Sequence, residues 1–273
     1  MGEIKQIVAF AVAFLVGSLW MASSYGQEDL PADEMVRKSQ QAFFYAGDDM
    51  KAKVLMRLIS KGGKERIREM TMLRKDTQEG GDQKYFMHFS KPADVRNMTF
   101  MVQKYPQKDD DRWLYIPAIK MVRRIAANDK RSSFVGSDFT YEDLSGRDIE
   151  EDDHTLLQKE ETLGGKACFV IESVPKSSGG AEWSRKISYI DKASFIPLKE
   201  EYYDPRGELL RTFTADEIKE VQGFPTIVKR TMQNVSSGHR TEVTFGAVQY
   251  NLGLPETLFS ERSLRNVPMR WIR

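Results

Sequence analysis

The sequence predicts a mainly β (α+β) fold: a large curved antiparallel sheet or incomplete barrel of about ten or eleven strands, with an N-terminal helix and a helical or loop lid. From residue 51 onward, apolar and polar residues alternate with a period of two, as at Ala52, Val54 and Met56. Short turns such as Gly62-Gly63 separate the alternating segments. Connections this short join antiparallel neighbours, so hairpins are expected throughout.

The first residues have the three-part layout of a secretory signal peptide. Lys5 precedes an apolar run over residues 7–20, and small residues follow over residues 22–26. We therefore expect a signal peptide over residues 1–26, with cleavage before Gln27. An uncleaved membrane anchor is the alternative, although the apolar run is short for a membrane span.

The exported part, residues 27–273, is long enough for one large β-rich domain. A cut after Ser24 would change its start only slightly. Cys168 is the only cysteine of the sequence, so no intramolecular disulfide can form. No cysteine follows the signal region. We therefore expect a periplasmic protein without a lipid anchor.

One segment has a helical pattern, over residues 31–45. Pro31 suits a first helical turn, and Asp33 and Glu34 complement the positive end of the helix dipole. Gly47 follows as a stop signal. The sequence thus predicts one early helix ahead of the strands.

Charge and motif content exclude several classes of site. Lys and Arg number 41 against 40 Asp and Glu, and they are interspersed, so nothing indicates nucleic-acid binding. His88, His154 and His239 lack the spacing of a metal motif. No phosphate-binding or dinucleotide fingerprint occurs. We expect no metal, no cofactor and no nucleic-acid partner.

Two short strands open the most informative segment. In the strand predicted for residues 111–116, Trp113 and Tyr115 share one face and Leu114 lies on the other, before Pro117 removes a ladder donor. A second strand follows the proline. The sequence therefore predicts a strand pair here.

The second strand, predicted for residues 119–125, carries an arginine on its apolar face. Met121, Arg123 and Ile125 share that face by parity, whereas Arg124 projects to the other. A charge among apolar side chains is tolerated only with a carboxylate or several acceptors. We therefore expect Arg123 to be paired.

The following loop contains candidate partners for that arginine. Asp138, Glu142 and Asp143 lie there, and a pair from Arg123 to Asp138 or Asp143 would tether the loop across the sheet opening. Ser137 beside these carboxylates also allows a hydrolase interpretation. No G-x-S-x-G elbow and no nearby histidine accompany it, so that interpretation is weaker.

This segment resembles a known family. The resemblance rests on WLYIPA (residues 113–118), VRRI (residues 122–125) and SFVGSDFTYEDL (residues 133–144), with weaker similarity at residues 90–94, 196–199, 202–204 and 258–264. Together these runs resemble the outer-membrane lipoprotein-sorting family, the LolA-like periplasmic proteins. The similarity extends across most of the chain.

The resemblance implies a LolA-like fold and a non-enzymatic periplasmic carrier. Such a carrier binds lipid or lipoprotein acyl chains in an apolar groove and passes them from an inner-membrane transporter to an outer-membrane acceptor. The composition, with 13 Met, 15 Phe, 10 Tyr and 4 Trp, suits a groove that accepts chains of varied shape, although the same residues could fill an ordinary core.

Two groups of residues are candidates for that site. Large apolar side chains on alternating strand positions are candidates for the groove: Met56, Met70, Met72, Phe86, Phe100, Trp113 and Tyr115. The signature residues that would form or hold a lid are Arg123, Arg124, Phe134, Gly136, Ser137, Asp138, Tyr141 and Asp143. The helix over residues 31–45 and the loop over residues 126–141 would be the lid.

The alternative is an envelope scaffold with the same fold and a filled core, which docks on a membrane transporter or an outer-membrane partner. A lipid hydrolase is a third class. A continuous apolar cavity of roughly several hundred Å³ inside the sheet, the size range of small-ligand sites, would favour the carrier. A dry, filled interior would favour the scaffold.

Overall fold

The computed structural model describes residues 30–77, 80–177 and 181–273. The expected signal peptide lies outside these residues. The strands are β1 (Asp49–Ile59), β2 (Glu65–Asp76), β3 (Gln83–Lys91), β4 (Thr99–Lys104), β5 (Asp111–Ile116), β6 (Met121–Ile125), β7 (Asp152–Leu163), β8 (Lys166–Pro175), β9 (Arg185–Asp191), β10 (Pro197–Tyr203), β11 (Leu209–Val221), β12 (Phe224–Asn234) and β13 (Arg240–Tyr250). The α-helices are α1 (Ala32–Phe44), α2 (Tyr141–Ser145), α3 (Glu261–Arg265) and α4 (Met269–Ile272).

The strands form a single antiparallel sheet in the order β6-β5-β4-β3-β2-β1-β13-β12-β11-β10-β9-β8-β7. The predicted fold class is confirmed, with 13 strands in the described residues instead of the ten or eleven expected. The sheet stays open, because β6 and β7 are its two edges. The chain enters at the middle of the sheet, where β1 pairs with β13.

A large apolar cluster shows which way the sheet curves. Leu114 on β5 and Tyr202 on β10, eight places apart in the strand order, belong to the same buried cluster. Two strands so far apart in the order can share one core only if the sheet wraps around it. We call the face toward this cluster the inner face.

The outer face has a cover of its own. Leu73 on β2, Phe86 on β3 and Met101 on β4 form a second buried cluster with Phe259 and Leu264 of the C-terminal segment, residues 252–273. This half of the sheet is therefore apolar on both faces, as expected for a strand layer covered on both sides.

Two segments cover the inner face. Helix α1 packs its apolar side against β7 and β12 and begins one residue after Pro31, close to the predicted start. The segment between β6 and β7, residues 126–151, runs from one edge of the sheet to the other, and we call it the crossing segment. Of the described helices, none has the length and apolar character needed to cross a membrane.

Candidate functional site

The crossing segment inserts aromatic side chains into the inner face. Phe134 is almost completely buried, with its ring 5.3 Å from that of Phe100 and 6.0 Å from that of Phe89. Tyr141 packs edge-on against Phe134, with the ring centroids 5.6 Å apart. Aromatic pairs at such distances stabilise packing beyond their area alone. The segment is therefore part of the core as well as a cover.

A tight hairpin presents these aromatic rings. Ser133 pairs with Thr140, and the tip passes through Val135 at φ 51° and Gly136 at φ 78°. Gly136 suits that left-handed backbone because it has no Cβ. The Ser137 hydroxyl donates to the Phe134 carbonyl at 2.7 Å. This hydroxyl is engaged in shaping the turn, which weakens the hydrolase interpretation.

The start of α2 is capped within the crossing segment. The Asp143 backbone N–H donates to the Thr140 hydroxyl at 3.2 Å, and the Thr140 backbone N–H donates to the Asp143 carboxylate at 2.7 Å. This reciprocal capping box satisfies two of the backbone donors that a helix start leaves free. It also fixes the direction of the Asp143 side chain.

An ion pair from the far half of the sheet holds the crossing segment. Arg211 on β11 donates to both oxygens of Asp143, at 2.7 and 3.2 Å. Both side chains are largely buried. Burial alone would raise the pKa of Asp143, but Arg211 and the Thr140 donors bring it below its ordinary value. The carboxylate therefore remains ionised in the folded protein.

A second tether lies at the hairpin. The Asp138 carboxylate accepts hydrogen bonds from Thr241 at 2.7 Å and from His239 Nδ1 at 2.6 Å. His239 lies in the turn between β12 and β13, and Thr241 lies on β13. The crossing segment is thus attached to the sheet through β11 and β13.

The expected role of Arg123 is wrong. Its parity is as predicted, because it pairs with Leu114, a member of the inner cluster. Yet β6 is an edge strand that extends beyond the core, and the Arg123 side chain is 58% exposed, with its nearest carboxylate Asp129 at 3.6 Å. Arg124 faces outward and pairs with Asp111. Arg123 therefore reaches the loop only through one exposed contact, and Arg124 pairs with a residue outside the loop.

Helix α1 is held at its C-terminal end by a buried arginine. The guanidinium of Arg74 on β2 donates to the carbonyls of Phe44, Ala46 and Gly47 at 2.5–2.7 Å. Carbonyl oxygens at a helix end lack partners within the helix, so a cation there is favourable. The Gln40 amide also donates to the Arg147 carbonyl at 2.7 Å, which links α1 to the crossing segment.

Small cavities remain between the covers and the sheet. One of about 100 Å³ lies between α1, the crossing segment and β7–β12. A second of about 60 Å³ lies beside Phe43, Met72 and Tyr250. A third of about 20 Å³ is lined largely by methionine, valine and phenylalanine. All three are lined in part by Arg230 on β12.

The predicted groove residues fall on both faces of the sheet. Met56, Met70, Met72 and Phe100 belong to the inner cluster. Phe86, Trp113 and Tyr115 do not line the inner face, because they pack with the outer cluster under the C-terminal segment. Phe86 and Met72 both lie in strands where buried side chains alternate between the two faces. When both faces of a sheet are covered, this alternation does not indicate which face holds the cavities.

Several inner-face residues were missed by sequence reasoning. Phe43 on α1, Phe139 on the crossing segment and Arg230 line the largest cavity, and Arg211 provides the ion pair. A signal for Arg230 was present, since it precedes the buried Met232 by two residues and therefore shares its face. In the described part of the chain, no group of His, Cys, Asp and Glu could hold a metal ion.

Comparison with known proteins gives close structural relatives. A domain from Vibrio parahaemolyticus assigned to the outer membrane lipoprotein-sorting proteins is 30% identical, with a TM-score of 0.79 over 86% of this chain and 98% of that chain. A DUF1329 family protein from Desulfovibrio piger is 28% identical, with a TM-score of 0.78 over 85% of this chain and 97% of that chain.

A more distant relative shares the fold. A LolA superfamily protein from Nitrosomonas europaea is 17% identical, with a TM-score of 0.66 over 85% of this chain and 99% of that chain. A family model whose description reads "uncharacterized protein" matches residues 81–266. No curated protein sequence matches.

Proposed function

Since the chain belongs to the LolA-like family of outer-membrane lipoprotein-sorting proteins, we propose that it is a non-enzymatic periplasmic carrier. It binds lipid or the acyl chains of a lipoprotein at the inner face and passes them between an inner-membrane transporter and an outer-membrane acceptor. Burial of an acyl chain contributes about 0.8 kcal/mol per methylene in either protein, so donor and acceptor nearly cancel and exchange needs no energy source.

The observation that supports this proposal is the soft, doubly covered inner face. Met56, Met70, Met72 and Met87 line one cavity, and methionine adapts to chains of varied shape at modest cost. The covers are separate from the strands, because α1 and the crossing segment reach the sheet through side-chain contacts. Such segments can withdraw without breaking a strand ladder.

Cargo uptake requires this withdrawal. Small-ligand sites span roughly 300–1,000 Å³, whereas the largest cavity here is about 100 Å³. Phe134 and Phe139 fill space that an acyl chain would occupy. The structure described is therefore the closed form of the proposed carrier.

The test is binding of an environment-sensitive acyl probe. Met72→Glu places a charge beside two cavities and should abolish probe binding, whereas Ile67→Glu, at an exposed position of the same strand, should leave it unchanged. Val54→Phe, which fills a cavity, should weaken binding without adding charge. Circular dichroism checks that each variant folds. Wild-type protein that binds no probe, or equal binding by all variants, would overturn the proposal.

The scaffold remains a second candidate, because the small size of the cavities favours a filled interior. In that case the crossing segment is permanent core, and the protein docks on a membrane transporter or an outer-membrane partner. Native mass spectrometry of protein purified without detergent separates the two. Co-purified lipid supports the carrier. Protein that is free of lipid and does not bind the acyl probe supports the scaffold.

A further inference from the structure

Arg230 lies at the centre of the inner face. It stands on β12 opposite Val243 of β13 and Ala215 of β11. Its guanidinium carbon is 4.9 Å from the ring centroid of Phe245, 5.1 Å from that of Phe139 and 5.5 Å from that of Phe43. These rings belong to the sheet, the crossing segment and α1, so the cation is enclosed by the sheet and by both covers.

This cation has no ionic or hydrogen-bonding partner among residues 30–77, 80–177 and 181–273. Its Nε atom is buried without an acceptor. The carboxylate that raises the pKa of Arg230, Asp143, is bound by Arg211 through both oxygens. Arg74 binds carbonyl groups and Arg211 binds Asp143. The buried Arg68 also has guanidinium nitrogens without acceptors, but it lines none of the three cavities. The guanidinium of Arg230 instead faces the aromatic rings of Phe43, Phe139 and Phe245.

An unpaired buried charge is costly. Burial lowers the pKa of Arg230 to about 10, which reflects the loss of hydration. Cation–π contacts offset part of that loss, but they satisfy none of the five N–H donors of the guanidinium. A charge kept without acceptors at the meeting point of three cavities is more typical of a ligand site than of a core.

The position of the charge defines the chemistry that it would recognise. The Nε atom of the guanidinium is buried, yet the residue keeps accessible surface, and it lines all three cavities. On one side lies a cavity of methionine and aliphatic side chains. A planar guanidinium binds carboxylate or phosphate oxygens through two parallel hydrogen bonds. An anionic group next to an apolar chain fits both features.

We propose that Arg230 is the counter-ion for the anionic group of the cargo, so that the protein selects amphiphiles that carry a carboxylate or a phosphate beside an acyl chain. This inference rests on the carrier function proposed above. The anionic group binds Arg230, and the chain displaces the covering aromatic rings from the methionine-lined part of the inner face.

Competition against the acyl probe tests the selectivity. The competitors are palmitate, palmitoyl lysophosphatidic acid and neutral monopalmitoylglycerol. Wild-type protein should bind at least one of the anionic competitors about tenfold more tightly than the neutral one, the factor expected of one charge-assisted hydrogen bond. Palmitate and lysophosphatidic acid distinguish carboxylate from phosphate as the preferred group.

The variants assign that preference to Arg230. Arg230→Met keeps the length of the side chain and should remove the preference while neutral competitor binding remains. Arg230→Lys keeps the charge but loses the planar fork and should retain part of the preference. Arg66→Met, at an exposed position on β2, is the matched control and should behave as wild type.

Stability separates a binding role from a structural one. A cation without acceptors costs folding free energy, so cargo-free Arg230→Met should melt no lower than wild type. A lower melting temperature together with an unchanged anionic preference would overturn the inference, as would equal wild-type binding of all three competitors. Failure of the carrier proposal itself looks different, because then no competitor and no probe binds to wild-type protein.

Discussion

Three arginines of the inner face differ in what they bind. Arg74 binds carbonyl groups at the end of α1, Arg211 binds the Asp143 carboxylate, and Arg230 faces aromatic rings. The first two hold the covers in place. In the proposed carrier, these contacts and the Asp138 tether would break when the covers withdraw.

The Arg211–Asp143 pair should dominate the attachment of the crossing segment. Arg211→Met leaves a largely buried carboxylate without its partner and should lower the free energy of unfolding by about 3–5 kcal/mol. The crossing segment should also become sensitive to protease. Urea denaturation and limited proteolysis measure the two effects.

The control for this variant is Arg123→Met. Its ion pair with Asp129 is exposed and long, so the loss should stay below about 1 kcal/mol. An Arg123→Met variant as unstable as Arg211→Met would show that β6 holds the loop after all.

The same pair predicts an acid dependence. The pKa of Asp143 is lower in the folded protein than its ordinary value of 3.8, so its contribution is present above that value and is lost as the pH falls through the lower folded pKa. In Arg211→Met, burial acts without the arginine and raises that pKa. The stability gap between the two proteins should therefore shrink as the pH falls from 7 to about 3.

Urea denaturation of both proteins at each pH measures that gap. Comparing them cancels the titration of carboxyl groups that they share. A gap that stays constant or widens on acidification would contradict the assignment of the pair.

At the scale of elements, the C-terminal segment is a structural cover. Its carbonyl groups accept from Thr99 at 2.8 Å, through Leu264, and from Thr71 at 3.0 Å, through Ile272. These bonds join the segment to the outer face, the side of the sheet opposite the cavities. The segment should therefore contribute to stability and not to cargo binding.

Phe259→Ala and Leu264→Ala test this division. Each removes a fully buried side chain of the outer cluster and should cost about 2–5 kcal/mol, with acyl-probe binding of the folded variants unchanged. Met269→Ala, at a position that is 40% exposed, should have little effect on either quantity. Weaker probe binding by the first two variants, measured well below their melting temperatures, would place the segment in the binding mechanism.

At the scale of the whole molecule, local patterns predicted the strands and their faces. The parity of Arg123 was right because a two-residue period is a local property. Its exposure was missed because only the strand order places β6 at an edge. Phe86 was assigned to the groove because both faces of its strand are apolar and covered.

The contacts that hold the site are the hardest to predict from sequence. Arg211 and Asp143 are 68 residues apart, and Thr241 and Asp138 are 103 apart. No periodicity connects such positions, since they meet only after the sheet has curved. Asp143 and Asp138 could be singled out because they lie in the signature loop. Their partners Arg211 and Thr241 lie on strands whose sequences have no distinctive pattern.

The pairing of β1 with β13 has a consequence for the order in which the protein folds. Strands β1–β6 pair with neighbours in the chain, and so do β7–β13, so each half can form by hairpin closure alone. The seam between the halves joins residues about 200 apart, as in Met50 opposite Tyr250. Because a chain is synthesised from its N-terminus, the two halves can join into one sheet only after the last strand, β13, has been made.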